Sequence, residues 1–339
     1  MNKHLYLPSG FLNFKFLVEG FSSPFTFIIG GRGTGKTYGA ISYLVDTGIP
    51  ALFMRRTQEE CDTVLNNPVM STALQVLNDR GYIIDIEKLS KKNAITYYKA
   101  SEDAEEKTPL YISCSLTGAA SIRGISSENI KLCIYDEFIK ERHKKAIAGE
   151  GFALFNAYET FNRNRELSGK PPIKFICMSN SDNIFNPVFK DFGILDDVYK
   201  MIQEGKEIKQ FKNGLVNVIV LGDSPISELK SKTVLYQIGN EEFNSMAIEN
   251  AFETPDEIIK SMNIKNMRPI CSYGKICFYR MDNGFYVSKH RTARIQYGAD
   301  KKGKRALLGN FPILKYAYNN DLILCEDMEC AYALEELFI

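Results

Sequence analysis

One eight-residue stretch, GGRGTGKT at residues 30–37, constrains the fold of this chain more than any other. It follows an apolar run, FTFIIG, and it precedes a segment with helical character. In that context the pattern G-x-x-x-x-G-K-[ST] predicts a strand, a phosphate-binding loop and a helix in succession. The N–H groups of such a loop turn inward around phosphate oxygens, and the helix N-terminus adds positive partial charge. The sequence therefore predicts a nucleotide-binding α/β domain.

Each residue type in this loop suits a part of a nucleoside triphosphate. Lys36 is expected to reach the β- and γ-phosphates, and Thr37 to offer its hydroxyl to Mg²⁺. A basic residue inside the loop, Arg32, is unusual. The predicted set of ATP contacts is Gly30, Gly31, Arg32, Gly33, Thr34, Gly35, Lys36 and Thr37.

A second apolar run, LCIYDEF, ends in two adjacent acids. Asp136 is expected to hold Mg²⁺, and Glu137 to orient and deprotonate an attacking water. A carboxylate that activates water favours a hydrolytic motor over a kinase. The interval from Lys36 to Asp136 (136 − 36 = 100 residues) leaves room for an additional strand between them. These features predict the additional-strand, catalytic-glutamate class of NTPase, with a RecA-like parallel core.

Three further polar positions are candidates for the same site. Asn180 ends the strand-like run IKFICMSN and is expected to sense the γ-phosphate, although Asn also ends strands in ordinary turns. Arg123 and Arg163 could act as arginine fingers, because a guanidinium pairs bidentately with phosphate. The alternative is that such arginines only solvate a helix end.

The rest of the chain predicts three segments. Residues 1–221 combine core strands near 25–30, 51–56, 130–137 and 173–180 with antiparallel strands at the sheet edge and a hairpin at 206–221. Residues 222–252 are polar and helix-forming, which predicts a helical linker. Residues 253–339 form a small α+β domain that begins with a hairpin around Asp-Asn-Gly and ends in a helix.

Composition narrows the class of protein. The formal net charge is +1, so contact with nucleic acid must be local or shared among subunits. The eight cysteines include no Cys-x-x-Cys pair and several lie in apolar runs, which favours a reducing compartment and disfavours zinc. No apolar run is long enough for a membrane helix, and the N-terminus makes a poor signal peptide. An intracellular protein without membrane contact is expected.

The order of GGRGTGKT, FMRR, SIRG, IYDEF, ETFNRNRE and CMSNSDNIFNP resembles the DNA-packaging ATPases of phi-29-type bacteriophages. That resemblance implies a homo-oligomeric ring, typically a pentamer, which docks on the portal of a prohead in the host cytoplasm and pulls in double-stranded DNA. It implies that Arg163 is the leading trans-acting finger, that Arg123 reaches the neighbouring site, and that Arg56 lies near the nucleotide base. A C-terminal domain like a degenerate RNase H nuclease, and a packaging RNA as partner, are also implied.

Basic loops are the candidate DNA contacts. Four basic residues closely follow Asp136 and Glu137, and a fifth lies in the turn LSKKN. Basic residues of this kind more often only solvate a surface loop. Copies of one modest patch around a ring would make a basic pore despite the low net charge. The predicted contacts are Lys140, Arg142, Lys144, Lys145 and Lys92.

Rival functions remain at this stage. A helicase-type ATPase, a terminase with an active nuclease and a non-catalytic nucleotide-gated assembly protein share the same loop. Nuclease activity is not expected, because the acids of the C-terminal domain show no evident two-metal geometry.

Overall fold

The computed structural model resolves the chain into two compact units. Residues 1–192 and 201–252 form the first unit, and residues 193–200 and 253–339 form the second. The sequence-based division at 221 and 252 does not separate residues 193–200, and those boundaries stay a prediction. The residues that the structure describes are 4–66, 71–88, 94–100, 108–122, 129–140, 147–180, 184–222, 226, 232–238 and 257–338.

The first unit is built on one large mixed sheet. Its strands are β1 Phe25–Ile29, β2 Ala51–Arg55, β3 Ile83–Lys88, β4 Ala94–Ala100, β5 Thr108–Ser115, β6 Leu132–Asp136, β7 Lys174–Ser179, β8 Ile208–Phe211 and β9 Val216–Val220. They lie in the order β3-β4-β5-β2-β6-β7-β1-β9-β8. The mixed α/β fold class is therefore confirmed.

The centre of this sheet is parallel. Strand β7 pairs in parallel with both β1 and β6, so it lies between the loop-bearing strand and the acid-bearing strand. This is the additional strand that the spacing from Lys36 to Asp136 predicts. Because parallel strands end at a common edge, the carboxyl ends of β1, β2, β6 and β7 meet there.

The two edges of the sheet are antiparallel, as the alternating sequence predicts. Strand β4 pairs antiparallel with β3 and β5 at one edge. At the other edge β8 and β9 form the hairpin expected from Lys-Asn-Gly. Both Asn213 and Gly214 have positive φ in this connection, at 56° and 84°, which explains the choice of residues.

Helices cover both faces of the parallel core. The helices described in the first unit are α1 Phe14–Glu19, α2 Lys36–Thr47, α3 Gln58–Asn66, α4 Thr72–Asn78, α5 Glu150–Asn162, α6 Pro187–Asp191 and α8 Val234–Ile238, while α7 Leu195–Gln203 begins in the second unit. None of the described helices has the length and apolar character that a membrane span requires.

The alternation of side chains assigns each strand residue to one face. Ile28 of β1 packs with Leu44 of α2, whereas Phe27 packs with Phe189 of α6 at 5.4 Å between ring centroids. Every residue of β1 and β6 is buried, as expected for strands covered on both faces. All eight cysteines are buried and none forms a disulfide.

The second unit has a smaller sheet of its own, with strand order β13-β10-β11-β12-β14. Its elements include the predicted hairpin, β11 with β12, and the predicted C-terminal helix, α11. The remaining bounds are β10 Pro269–Tyr273, β11 Ile276–Met281, β12 Gly284–Ser288, β13 Gln296–Tyr297, β14 Ile323–Cys325, α9 Lys301–Asn310, α10 Pro312–Asn319 and α11 Met328–Phe338.

Candidate active site

The glycine-rich loop connects the carboxyl end of β1 to the first residue of α2. Gly33 and Gly35 have φ values of 72° and 84°, a left-handed conformation that glycine adopts without steric cost. A Cβ atom on Gly30 would lie 2.6 Å from Cβ of Leu221, so this position tolerates only glycine without a shift. The loop pattern is therefore required by the backbone itself.

The lysine of the motif is held inside the loop. Its Nζ atom donates hydrogen bonds to the carbonyl oxygens of Gly30 (2.9 Å) and Gly31 (2.8 Å). Lys36 is buried, whereas Arg32 at the tip of the loop is exposed. The two cations thus present positive charge from inside the loop and from its rim.

The acid-bearing strand brings its first carboxylate to the same place. The hydroxyl Oγ1 of Thr37 donates a hydrogen bond of 2.8 Å to Oδ2 of Asp136. Two oxygen ligands at this separation, one of them an ionisable carboxylate, suit the chemistry of Mg²⁺. The predicted pair Thr37 and Asp136 is therefore brought together by the fold.

An arginine that the sequence analysis did not single out joins this pair. Arg55, the last residue of β2, forms ion pairs with Asp136 (3.2 Å) and with Glu137 (3.3 Å). Burial opposes its charge, but the two carboxylates outweigh that effect and raise the pKa of Arg55 above its ordinary value. The alternation of β2 is the signal that could have placed Arg55 on the same face as Asp136.

Glu137 follows the strand in an unusual backbone conformation. Its φ of 60° lies in the left-handed region, which is uncommon for a residue other than glycine. The next residue, Phe138, is buried and donates its backbone N–H to the carbonyl of Met178. A strained, well-anchored turn therefore aims the half-buried Glu137 side chain toward Arg55.

The end of β7 lies beside the loop. The backbone N–H of Gly30 donates to the carbonyl of Ser179, and Ser179 Oγ accepts a hydrogen bond from Ile139 N at 3.1 Å. Asn180 is the next residue and is half-buried. Its position beside the loop is consistent with a γ-phosphate sensor, which stays a prediction.

Arg56, which the resemblance places near the nucleotide base, binds Glu150 of α5 in this structure, and its proximity to a nucleotide stays a prediction. Its side chain is 1% exposed and binds Glu150 through two hydrogen bonds, Nε to Oε1 at 2.7 Å and Nη2 to Oε2 at 2.9 Å. Successive strand residues point to opposite faces, so Arg55 faces the loop and Arg56 faces α5. Of these two neighbours in the sequence, Arg55 is the one that lies beside the acid pair.

Arg163 lies near the amino ends of the parallel strands, whereas the loop lies at their carboxyl ends. It follows the last residue of α5, is exposed, and has a φ of 46°. The neighbouring Arg165 donates to the carbonyl oxygen of Ile130, just before β6 begins. Helix α5 therefore runs from the carboxyl edge, where Asp136 ends β6, to the amino edge.

Several predicted residues fall outside the described part of the chain. Of the predicted DNA contacts only Lys140 is described, and it is half-buried. The residues about which the structure gives no information are Arg123, Lys92, Arg142, Lys144 and Lys145.

The N-terminal segment is a second feature that the sequence analysis missed. The backbone N–H of Leu12 donates to the carbonyl oxygen of Thr34, and a Cβ atom on Gly35 would lie 3.0 Å from the ring of Phe11. The ring of Phe11 is partly exposed beside the loop. The segment thus stabilises one side of the loop.

The second unit contains a cluster of ionisable groups of its own. Oxygen and sulfur atoms of Glu326, Asp327 and Cys330 lie within 4.8 Å of one another. Lys289 binds Asp327 at 2.8 Å, and His290 lies 2.8 Å from Glu326. Burial raises the pKa of the Cys330 thiol, and a protonated thiol is a poor metal ligand. Both carboxylates of the cluster are therefore already paired with side chains of the protein.

Comparison with known proteins places this geometry in context. A DNA packaging protein of Bacillus phage B103 is 27% identical over 275 residues, which cover 77% of this chain and 73% of that protein. A DNA packaging protein of Bacillus phage phi29 is 24% identical over 264 residues, which cover 76% of this chain and 69% of that protein. Among solved structures, the bacteriophage Phi-29 viral genome packaging motor assembly aligns with a TM-score of 0.60 at 17% identity, covering 99% of this chain and 100% of that chain.

This alignment shows that the two proteins share a fold. A family model, described as Podovirus DNA encapsidation protein (Gp16), matches residues 11–268 and so includes the loop, the acid pair and α5. This chain belongs to the Podovirus DNA encapsidation protein (Gp16) family.

Proposed function

We propose that this protein is an ATPase that drives double-stranded DNA into a phage prohead, working as a homo-oligomeric ring of five copies at the portal in the host cytoplasm. Family membership supports the packaging role. The observation that carries the ATPase assignment is the hydrogen bond of 2.8 Å between Thr37 and Asp136, with Glu137 next in the chain. This arrangement joins a phosphate-binding loop to a second carboxylate, on the residue just beyond the end of β6.

The residues present fit ATP and Mg²⁺. The loop amides and Lys36 would hold the phosphates, while Thr37 and Asp136 would hold the metal through oxygen atoms. Mg²⁺ supplies charge neutralisation of the phosphate oxygens when it is bound. Arg32 adds positive charge at the exposed rim of the loop. The donor chemistry fits, because backbone N–H groups and the ammonium group of Lys36 suit phosphate oxygens, and the oxygen atoms of Thr37 and Asp136 suit the metal.

Glu137 is proposed to hold and deprotonate the attacking water. Its carboxylate lies 3.3 Å from the guanidinium of Arg55, which holds the side chain beside Asp136. The strained backbone at Glu137 restricts the directions in which the carboxylate can point. Asn180, at the end of β7, is proposed to contact the γ-phosphate.

Arg163 is proposed to act on the site of a neighbouring subunit. Helix α5 has 13 residues, and at 1.5 Å per residue it spans about 20 Å. An arginine side chain cannot cover that length back to its own loop, so any phosphate contact by Arg163 is made in another copy. Arg123 is proposed to share this role.

The DNA contact is proposed to lie in the segment that follows Glu137. Lys140, Arg142, Lys144 and Lys145 begin three residues after the water-activating acid, so a change at the site could move them directly. Lys92 is a further proposed contact. A packaging RNA remains a proposed partner of the second unit, which also retains the sequence-based proposal of an RNase H-like origin.

The test is ATP hydrolysis by the purified protein with and without duplex DNA, alongside Mn²⁺-dependent cleavage of supercoiled DNA. The proposal expects ATPase activity that duplex DNA stimulates, and intact plasmid. Charge reversal at Lys140, Arg142 and Lys144 should abolish the stimulation and leave nucleotide binding unchanged. Cleaved plasmid would instead favour a nuclease, and binding without hydrolysis would favour a nucleotide-gated assembly protein.

A further inference from the structure

A buried cluster joins the acid-bearing strand to the beginning of α5. Glu150, the first residue of the helix, accepts two hydrogen bonds from Arg56 and a third, of 2.8 Å, from the hydroxyl of Tyr135. Glu150 and Arg56 are each 1% exposed and Tyr135 is fully buried. Glu150, Arg56 and Tyr135 are called the α5 anchor below. The anchor joins β6, the residue that directly follows β2, and the first residue of α5.

The two residues of the α5 anchor that lie outside α5 are each the immediate neighbour of a site residue. Tyr135 precedes Asp136, and Arg56 follows Arg55. Because side chains alternate along a strand, the anchor lies on the α5 face directly behind the acid pair. A displacement of either strand end at the site is therefore imposed on Glu150 as well.

The start of α5 is also fixed from another direction. A Cβ atom on Gly151 would lie 2.6 Å from Cβ of Asp191, so the helix backbone rests directly on the last residue of α6. At the other end, Asn162 Oδ1 accepts a hydrogen bond of 2.9 Å from Ile173 N. Both ends of the helix are held, and Arg163 is the first residue beyond it.

The chemistry of the anchor exceeds what packing alone requires. Buried ion pairs are often no more stabilising than apolar side chains of similar volume, because both charges lose their hydration. What a bidentate arginine–carboxylate pair adds is a fixed mutual orientation. Here it fixes the rotation and the axial position of a helix that carries Arg163.

We infer that Glu150 is a positioning residue, which with Arg56 and Tyr135 transmits the position of the acid-bearing strand through α5 to Arg163. The inference rests on the proposed trans role of Arg163. A subunit then presents its arginine to the neighbouring site according to the state of its own site. Neighbouring sites are coupled through one helix.

The test uses two complementary subunits in the DNA-stimulated ATPase assay. A donor, Glu137→Gln, is expected to bind ATP without hydrolysing it and still supplies Arg163, whereas an acceptor, Arg163→Ala, keeps an intact site but has no arginine to give. Mixing them should restore hydrolysis above the sum of the separate proteins. Glu150→Gln in the donor should lower the restored rate at least about five-fold, because a small misplacement of a catalytic group is costly. The same change in the acceptor should lower it less than about two-fold.

The asymmetry is the readout, since a purely structural role would affect donor and acceptor alike. Equal losses, or no loss in the donor, would overturn the inference while leaving the ATPase and its trans arginine intact. No restoration by the unmodified donor would refute the trans role of Arg163 and the inference with it. No hydrolysis by the wild-type protein would refute the proposed function itself.

Two further variants complete the test, one as an alternative to Glu150→Gln and one as a control. Tyr135→Phe removes only a hydroxyl and should give a smaller donor-specific loss, of about two- to three-fold. This variant decides the question if Glu150→Gln does not fold, as judged by its thermal unfolding. Asp46→Asn is the matched control, because Asp46 forms a bidentate pair with Arg80 on the exposed surface, at 2.7 and 3.2 Å. It should leave restoration unchanged in either subunit.

Discussion

Two arginines that are adjacent in the sequence lie in ion clusters of opposite character. Arg55 binds Asp136 and Glu137 with its side chain 21% exposed, and it faces the phosphate-binding loop. Arg56 binds Glu150 with its side chain 1% exposed, and it faces α5. A partly exposed cluster can exchange one partner for a ligand, whereas the loss of one partner from a sealed cluster leaves an unpaired charge in the interior. The cluster around Arg55 thus lies where hydrolysis is proposed, and the cluster around Arg56 positions α5 on the opposite face of the sheet.

The largest expected difference between the clusters is in stability. Arg56→Ala leaves the carboxylate of Glu150 buried without its cation, so the free energy of unfolding should fall by about 3–5 kcal/mol. Arg55→Ala should cost less, about 1–2 kcal/mol, because Glu137 is half-exposed and the buried Asp136 keeps its hydrogen bond from Thr37. Chemical denaturation measures both, with Arg80→Ala as the surface control. Equal losses of unfolding free energy in Arg56→Ala and Arg55→Ala would show that the two clusters do not differ in their contribution to stability.

The second difference is in hydrolysis. Glu137→Gln, in the cluster around Arg55, should lower the ATPase rate at least about 100-fold, because the amide cannot accept a proton from water. Binding of a non-hydrolysable ATP analogue should remain within about three-fold of wild type. Rapid-quench hydrolysis and equilibrium binding measure the two quantities. Full activity in this variant would refute the role assigned to Glu137.

The smallest expected effect extends the comparison to the second unit, where a partly exposed cluster has a measurable pH dependence. Burial raises the pKa of Asp327, but the hydrogen bond from Lys289 outweighs it and the pKa is lowered overall. A lowered carboxyl pKa stabilises the folded state above the unfolded value, about 4, and this stability is lost as pH falls through the folded value. Asp196 nearby opposes the trend, since burial and Asp327 raise its pKa.

The measurement is the free energy of unfolding of wild type and of Asp327→Asn from about pH 6 to about pH 3. The wild type should be more stable by about 1 kcal/mol near neutral pH, and the difference should shrink in acid. A difference that does not change with pH would show that the carboxylate charge contributes nothing there.

The sequence predicts the parts of the site that depend on local pattern. The loop, the acid pair and the intervening strand follow from residue types, spacing and apolar runs. The pairing of Arg55, rather than Arg56, with the acid pair does not follow from local pattern. It depends on which face of β2 packs on α2, and contacts distant in the sequence decide that. The burial of Glu150 was equally hidden, since an acid at a helix start is usually a solvated cap. The assignment of residues 193–200 to the second unit likewise depends on long-range contacts.

The burial of all eight cysteines has a practical consequence. Thiolate is the reactive form of cysteine, and burial raises the pKa of Cys61 to about 11 and that of Cys325 to about 12. A maleimide dye should therefore react only slowly with the native thiols. A single cysteine introduced on an exposed helix position, such as Ala306→Cys in α9, would carry one fluorophore per subunit without removing any native residue from the core. The wild-type chain is already a low-background scaffold for following individual subunits.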